Sequence, residues 1–234
     1  MDNEIGYSPL LIALASGILP ALLWLWFCLH EDRLHPEPRR QIALAFLAGM
    51  LAVPLAYYIQ KFFRSFLAPT FILTLVWAAT EEISKFLLAY VIVLRSKFTD
   101  EPIDMVIYMI TTALGFAALE NTLFMLTPFS EGNMLGGIVT GNLRFMGATL
   151  LHIVASGTVG IALAFSFYKG KMSKTCALIF GLILSSALHT VFNLFIMKAE
   201  EGNDAFIIFA GVWFAIVVLI VMFEKIKTIT PAQA

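Results

Sequence analysis

The sequence predicts an all-α fold, a polytopic transmembrane bundle of about seven helices. Hydrophobic residues make up 60% of the 234 positions, and the mean hydropathy is +0.88. Charged residues account for only 13%, about half of the roughly 25% that is usual in soluble domains. Apolar runs of about 20 residues, the length that crosses a bilayer, recur along the chain. This composition excludes a disordered chain, and a net charge of -1 gives no basic face for nucleic acid.

Charged, proline and glycine residues separate the apolar runs and set the bounds of seven predicted spans. The spans are residues 8–29, 41–60, 70–94, 103–126, 145–168, 175–197 and 205–223. Asp2 and Glu4 precede the first run, which is too long for the apolar region of a signal peptide, so we expect a retained span. The glycine- and asparagine-rich stretch Ser130–Asn142 is expected to be an interfacial loop or a short helix. Because the connections are short, we expect residues 1–234 to form a single integral membrane domain.

Lysine and arginine collect in the connections on one side of the predicted bundle, and this bias predicts its orientation. Ten of the 15 basic residues, Arg39 and Arg40 among them, fall on the side that also holds the carboxyl terminus, and four fall on the other. Positive charge favours the cytoplasmic side of a membrane. We therefore expect the amino terminus outside and the carboxyl terminus in the cytoplasm.

Six ionisable residues lie within four consecutive predicted spans, where charge is costly. They are Glu81, Glu82 and Lys85 in the third span, Glu120 in the fourth, His152 in the fifth and His189 in the sixth. A charge at bilayer depth costs about 2.5–3.5 kcal/mol, so these side chains must face one another or a wet cavity. At about 1.5 Å of rise per residue, four of them lie roughly 9–16 Å from the external end of their helices. These four are Glu81, Glu120, His152 and His189. The four side chains therefore converge on the outer half of the bilayer.

Helical spacing predicts which of these residues interact. Glu81 and Lys85 are four residues apart and can pair on one face, whereas Glu82 points about 100° away. His152 shares a face with Ser156. In the same way, His189 shares a face with Asn193. A polar side chain one turn from a histidine can fix its ring orientation, as metal ligands and general bases require.

Two classes of chemistry fit this inventory. Carboxylates and imidazoles in a shielded layer suit the activation of water, either directly or through a Zn²⁺ ion with mixed histidine and carboxylate ligands. The same groups would also serve a proton relay in a transporter. No His-Glu-x-x-His motif is present to decide between these two classes.

Six short motifs in this chain resemble those of the PrsW family of intramembrane proteases. In order they are Asp32-Arg33-Leu34-His35-Pro36-Glu37-Pro38, Glu81-Glu82-Ile83-Ser84-Lys85, Glu101-Pro102-Ile103-Asp104, Gly115-Phe116-Ala117-Ala118-Leu119-Glu120-Asn121, Arg144 with His152 and Ser156, and His189-Thr190-Val191-Phe192-Asn193. Met105 stands where the family usually has glycine. The motifs cover roughly residues 30–195, with a core at about 70–195.

The resemblance implies an intramembrane endopeptidase in the superfamily of prenyl-protein and bacteriocin-processing proteases. Such an enzyme would reside in a bacterial cell membrane as a multi-pass protein. Its substrate would be a single-span membrane protein, such as an anti-sigma factor cut on its extracytoplasmic side in a stress response. That location agrees with the outer-half depth of the ionisable residues.

Roles for the individual residues follow as hypotheses. Glu81 or Glu82 would be the general base, with Glu82 favoured because Lys85 can neutralise Glu81. Glu120, His152 and His189 would bind a metal ion, most plausibly zinc, or stabilise the oxyanion. The expected orienting residues are Asn121, Arg144, Ser156 and Asn193.

Two other functions remain open at this stage. A proton- or ion-coupled transporter would use the same carboxylates, although no internal repeat or paired broken span is visible. A catalytically inactive scaffold would present its helices to a partner, although the motif residues are intact.

Overall fold

A computed structural model describes residues 8–30, 36–199 and 205–231, and all of its regular secondary structure there is helical. The helices are α1 (Ser8–His30), α2 (Arg39–Arg64), α3 (Phe71–Ala89), α4 (Pro102–Ser130), α5 (Met134–Leu143), α6 (Thr149–Ala164), α7 (Lys171–Ala199) and α8 (Ala205–Ile226). Two π-helical segments, Tyr90–Leu94 and Arg144–Ala148, extend α3 and join α5 to α6. The all-α prediction is therefore confirmed. Asp2, Glu4 and the first residues of the Asp32–Pro38 motif lie outside the described residues.

Within the described ranges, five helical stretches are long and apolar enough to cross a membrane. They are Pro9–His30, Arg39–Arg64, Pro102–Ser130, Met134–Ala164 and Lys171–Leu194. The third predicted span, α3, is not among these five. Its apolar run is interrupted by the charged residues Glu81, Glu82 and Lys85. Seven crossings and an outside amino terminus stay predictions.

The stretch at Ser130–Asn142 is mostly helical rather than a loop. α5 occupies Met134–Leu143 and runs through the π-helical segment into α6, so the helical region begins about ten residues before the predicted fifth span. The side chain of Asn133 caps α5 by accepting a hydrogen bond from the backbone N–H of Gly136 at 2.8 Å. An asparagine in this position satisfies an amide that has no partner within the helix.

α4 is the central helix of the bundle. The most apolar stretch of α4 is 89% buried, whereas that of α1 is 22% buried. Three helices, α1, α2 and α6, pack around α4. Pro102 begins the helix, where a missing N–H costs nothing. Asp104 accepts hydrogen bonds from the backbone N–H groups of Asp100 and Glu101 at 2.9 and 2.7 Å. These contacts fix the start of the helix that carries Glu120.

Two acidic motifs meet at this end of α4. The hydroxyl of Tyr108, which is fully buried, donates a hydrogen bond to the carboxylate of Glu37, just before α2 begins. Asp104 and Glu120 are separated by about 24 Å along the helix axis, at about 1.5 Å per residue. The Glu37 and Asp104 motifs therefore align α2 with α4 rather than contribute to the charged cluster.

α2 and α4 approach each other closely through glycine. A Cβ atom at Gly49 would overlap the carbonyl oxygen of Thr112, and one at Gly115 would overlap that of Phe46. Small residues at such contacts let helix backbones approach in membranes.

Replacing Gly115 by valine is expected to destabilise the protein by about 1–3 kcal/mol or more, because the backbone of α2 cannot yield as a flexible side chain would. Unfolding in mild detergent measures this loss. Gly170→Val is the control, since nothing lies within 4 Å of a Cβ atom built there. Equal stability of the two variants would contradict the close packing of α2 on α4.

Candidate functional site

Four helices and one π-helical segment bring the predicted site residues together. Glu81, Glu82 and Lys85 come from α3, Glu120 and Asn121 from α4, Arg144 from the π-helical segment, His152 and Ser156 from α6, and His189 from α7. Hydrogen bonds and close contacts link them into one continuous network. We call this set the polar cluster. The sequence analysis expected the charged groups to face one another, and in the structure they do.

The carboxylate of Glu82 lies at the centre of the polar cluster. Its Oε1 accepts from the Lys85 ammonium at 2.5 Å and from Nδ1 of His189 at 2.8 Å, and its Oε2 accepts from the Ser156 hydroxyl at 2.7 Å. The side chains of Glu82 and Lys85 are fully buried. Three donors from three helices thus occupy both oxygens of this carboxylate.

The predicted pairing of Lys85 with Glu81 is wrong. Lys85 bonds to Glu82 instead, three residues before it on α3 rather than four. Both spacings place side chains on neighbouring positions of a helix, so the sequence could not separate them. The contacts with α6 and α7 decide the outcome, because they draw Glu82 into the interior.

These contacts also fix the proton on His189. An ionised carboxylate can only accept hydrogen bonds, and Lys85 favours the ionised form of Glu82. Nδ1 of His189 must therefore carry the proton that it donates to Glu82. In the neutral ring, the other nitrogen, Nε2, then presents a lone pair.

That lone pair faces Glu81. Nε2 of His189 lies 3.6 Å from Oε2 of Glu81, and this carboxylate oxygen is buried with no hydrogen-bond donor among the described residues. The other oxygen of Glu81, Oε1, accepts from the amide of Gln60 at 2.9 Å. Two acceptors facing each other across a buried gap are unfavourable unless a cation or a proton lies between them.

His152 lies between the two halves of the polar cluster. Its Nδ1 is 3.1 Å from the ammonium of Lys85 and its Nε2 is 3.1 Å from Oε2 of Glu120. Because a lysine ammonium can only donate, neutral His152 accepts at Nδ1 and donates from Nε2 to Glu120. Its ring packs edge-on against that of His189, with the centroids 5.1 Å apart.

Glu120 and Arg144 form the more exposed side of the polar cluster. The side chains are 19% and 17% exposed, against 0–2% for Glu82, Lys85 and the two histidines. Arg144 donates to Glu120 through Nη2 and to Asn121 through Nε at 2.6 Å, and its guanidinium lies 3.8 Å from the centre of the Phe124 ring. Access to the polar cluster is therefore greatest at the π-helical segment.

A possible metal-binding group exists, but its membership differs from the prediction. Glu81, His152 and His189 each offer a ligand atom within 4.8 Å of the others, and all three residues are buried. The sequence analysis had placed Glu120 with the two histidines. In the structure Oε2 of Glu120 accepts from both Arg144 and His152, which leaves Glu81 as the carboxylate of the group.

Two further orienting roles differ from the prediction. Ser156 donates to Glu82 and not to His152, the histidine one turn away on α6. Asn193 is half-buried, and no hydrogen bond joins it to His189 in the described part of the chain. Asn121 does orient its neighbours, since it bonds to Arg144 and, at 3.0 Å, to Thr149.

Sequence reasoning missed Gln60, the one contribution of α2 to the polar cluster among the described contacts. It is the last residue of the predicted second span, a position at which a polar residue indicates only the end of the span. The available signal was a single amide in the second half of that span, which is otherwise apolar and aromatic. Its partner on α3 became visible only in the tertiary structure.

Comparisons with known proteins agree with the motifs. A model of the family described as "PrsW family intramembrane metalloprotease" matches residues 37–222. The chain is 26% identical to Protease PrsW of Geobacillus kaustophilus over 209 residues, which is 86% of this chain and 88% of that protein. It is also 26% identical to Protease PrsW of Clostridioides difficile over 188 residues, 77% of each chain. Protease PrsW of Bacillus subtilis is 26% identical over 201 residues, 80% of this chain and 83% of that protein. No solved structure matches significantly.

Lys85→Met is expected to destabilise the protein by about 3–5 kcal/mol, because it leaves Glu82 as a buried charge without its counterion. The double variant Glu82→Gln, Lys85→Met removes both charges and is expected to recover part of this loss. Unfolding of the purified variants in mild detergent gives both values. A double variant less stable than Lys85→Met would contradict the pairing.

Proposed function

Because the chain belongs to the PrsW family of intramembrane metalloproteases, we propose that the polar cluster is the active site at which it hydrolyses a peptide bond. The enzyme is an intramembrane protease and a multi-pass membrane protein. The proposed substrate is a single-span membrane protein cut on its extracytoplasmic side, as in site-1 cleavage of an anti-sigma factor.

One observation carries the proposal, the buried Oε2 of Glu81 that faces the lone pair of His189 without a donor. A divalent cation would satisfy both atoms, and two histidines with one carboxylate form a known zinc donor set. We therefore propose that Glu81, His152 and His189 hold a zinc ion. A zinc ion in such a site supplies a water of lowered pKa and polarises a carbonyl group. The donor set fits this ion by its burial and its separation. Nδ1 of His152 is the one ligand atom already engaged, and it would bind the ion in place of the Lys85 ammonium.

We propose for Glu82 a different task from the one that the sequence favoured. Three donors already contact its two oxygens and its side chain is fully buried, so it is less available to a proton from water than Glu81, whose Oε2 has no donor among the described residues. We propose that it orients His189 by accepting the Nδ1 proton and that it holds Lys85 next to His152. This arrangement keeps Nε2 of His189 free to act, as partners of ligand histidines do.

Glu81 is the carboxylate that we place in the reaction. Hydrolysis adds the oxygen of water to the peptide carbonyl carbon and moves a proton from that water to the leaving nitrogen. Oε2 of Glu81, with no donor of its own, can hold either the ion or that proton. His152 and Arg144 both donate toward the accessible side at Glu120, and we assign them to the carbonyl oxygen of the substrate.

Glu81→Gln is expected to abolish cleavage, because an amide replaces the free carboxylate oxygen. Amino-terminal proteomics would compare the fragments of single-span membrane proteins in cells that carry the parent or the variant. This comparison would identify a substrate and measure the loss of its cleavage. In the purified proteins, elemental mass spectrometry should find about one zinc per parent chain and much less in Glu81→Gln, His152→Ala and His189→Ala.

Two controls make this test specific. Glu120→Gln is expected to retain zinc, because Glu120 lies outside the metal-binding group. Glu131→Gln changes an exposed carboxylate at the end of α4 and should leave both zinc and cleavage unchanged. Full cleavage by Glu81→Gln would refute the proposal. If Glu81→Gln loses cleavage but the parent contains no zinc, the proton transfer is assigned to Glu81 alone.

We also propose seven crossings of a bacterial cell membrane, with residues 1–234 as one domain, the amino terminus outside and the carboxyl terminus cytoplasmic. The charge bias and the five long apolar helices support this arrangement, with α3 and α8 as the remaining crossings.

Cysteine labelling tests the orientation, in a background with Cys28 and Cys176 replaced by serine. Glu131→Cys is expected to react with a membrane-impermeant maleimide in intact cells, because it lies on the outer side. Lys171→Cys, at the start of α7, should react only after permeabilisation. The opposite pattern would invert the proposed orientation.

A further inference from the structure

Gln60 contacts the polar cluster from α2, a helix that contributes none of the charged side chains of the cluster. Its Nε2 donates to Oε1 of Glu81 at 2.9 Å and to the backbone carbonyl of Trp77 at 3.4 Å. Trp77 lies one turn before Glu81 on α3. Both acceptors are therefore neighbouring points of the same helix.

This geometry determines the orientation of the Gln60 amide. A primary amide has two N–H donors, and here one can serve the carboxylate while the other serves the carbonyl. The reversed amide would place its oxygen against two acceptors. Gln60 is thus a donor at this position, and its side chain is half-buried against α3.

The contact with Gln60 distinguishes the two oxygens of Glu81. Oε1 is held by Gln60, and Oε2 is left pointing toward Nε2 of His189. Among the described residues, Gln60 donates the one hydrogen bond that either oxygen of Glu81 accepts. Without that hydrogen bond, either oxygen of Glu81 could turn toward Nε2 of His189.

We propose that Gln60 is a positioning residue for Glu81, one that fixes which carboxylate oxygen is presented to the reaction. This inference rests on the proposed role of Glu81. Hydrogen-bond partners of metal ligands typically change affinity or activity by about 10–100-fold when they are removed. Gln60 acts through Glu81 and is not required to touch the substrate.

The test compares Gln60→Met with Gln41→Met. Methionine keeps the approximate length of glutamine and removes the donor. Gln41 lies on the same helix, is buried, and its Oε1 has no hydrogen-bond partner among the described residues, so it provides the matched substitution about 28 Å away. We would measure zinc affinity by chelator competition, the unfolding temperature, and kcat and KM with the substrate identified by proteomics.

Gln60→Met is expected to weaken zinc binding about tenfold and to lower kcat about tenfold with KM unchanged. Its unfolding temperature should match that of Gln41→Met, which should equal the parent in zinc affinity, kcat and KM. A raised KM with unchanged kcat would mean that Gln60 contacts the substrate, and this result would overturn the positioning role.

The outcomes separate this inference from the proposed function. If Glu81→Gln loses zinc and cleavage while Gln60→Met equals the parent, the positioning role is wrong and the proposed site stands. If the parent binds no zinc, the metal assignment fails and kcat alone decides the role of Gln60. Should Gln60→Met not fold, Gln60→Asn, which keeps a donor but shortens its reach, is compared with Gln41→Asn in the same measurements.

Discussion

The buried carboxylate of Glu82 is the group on which the geometry of the site depends. It accepts hydrogen bonds from Lys85, Ser156 and His189, and so joins α3, α6 and α7 in the buried interior of the bundle. Such an ion is tolerated only when its partners satisfy it fully. Because its oxygens are occupied, the proton of His189 and the position of Lys85 are both determined. The arrangement of the remaining polar groups follows from these two constraints.

The two adjacent carboxylates, Glu81 and Glu82, therefore have different roles. Glu82 accepts three hydrogen bonds and organises the cluster, whereas Glu81 keeps an oxygen that has no donor among the described residues. Neighbouring glutamates on one helix point about 100° apart, and here the two carboxylates meet different ring nitrogens of His189. Environments that differ this much are how a protein assigns different tasks to identical side chains.

The rest of the fold holds this cluster in place. α4 is buried on nearly all sides, and its start is fixed by Asp104. Glycine contacts bring α2 close to α4, and α2 also reaches α3 through Gln60. The π-helical segment places Arg144 beside Glu120 at the more exposed side. Rigid helices on one side and an accessible polar side on the other suit an enzyme that must admit a peptide while it excludes most water.

The sequence by itself determined the helical fold, the family and most of the residues that meet in the cluster, because apolar length and charges within apolar runs are local properties of the chain. It could not determine which glutamate Lys85 would contact, since residues three and four positions away are equally near on a helix. It also placed Glu120 rather than Glu81 with the histidines, and it did not identify Gln60 at all. Only the packing of α2, α6 and α7 against α3 decided these partners, because each one depends on residues far apart in the chain.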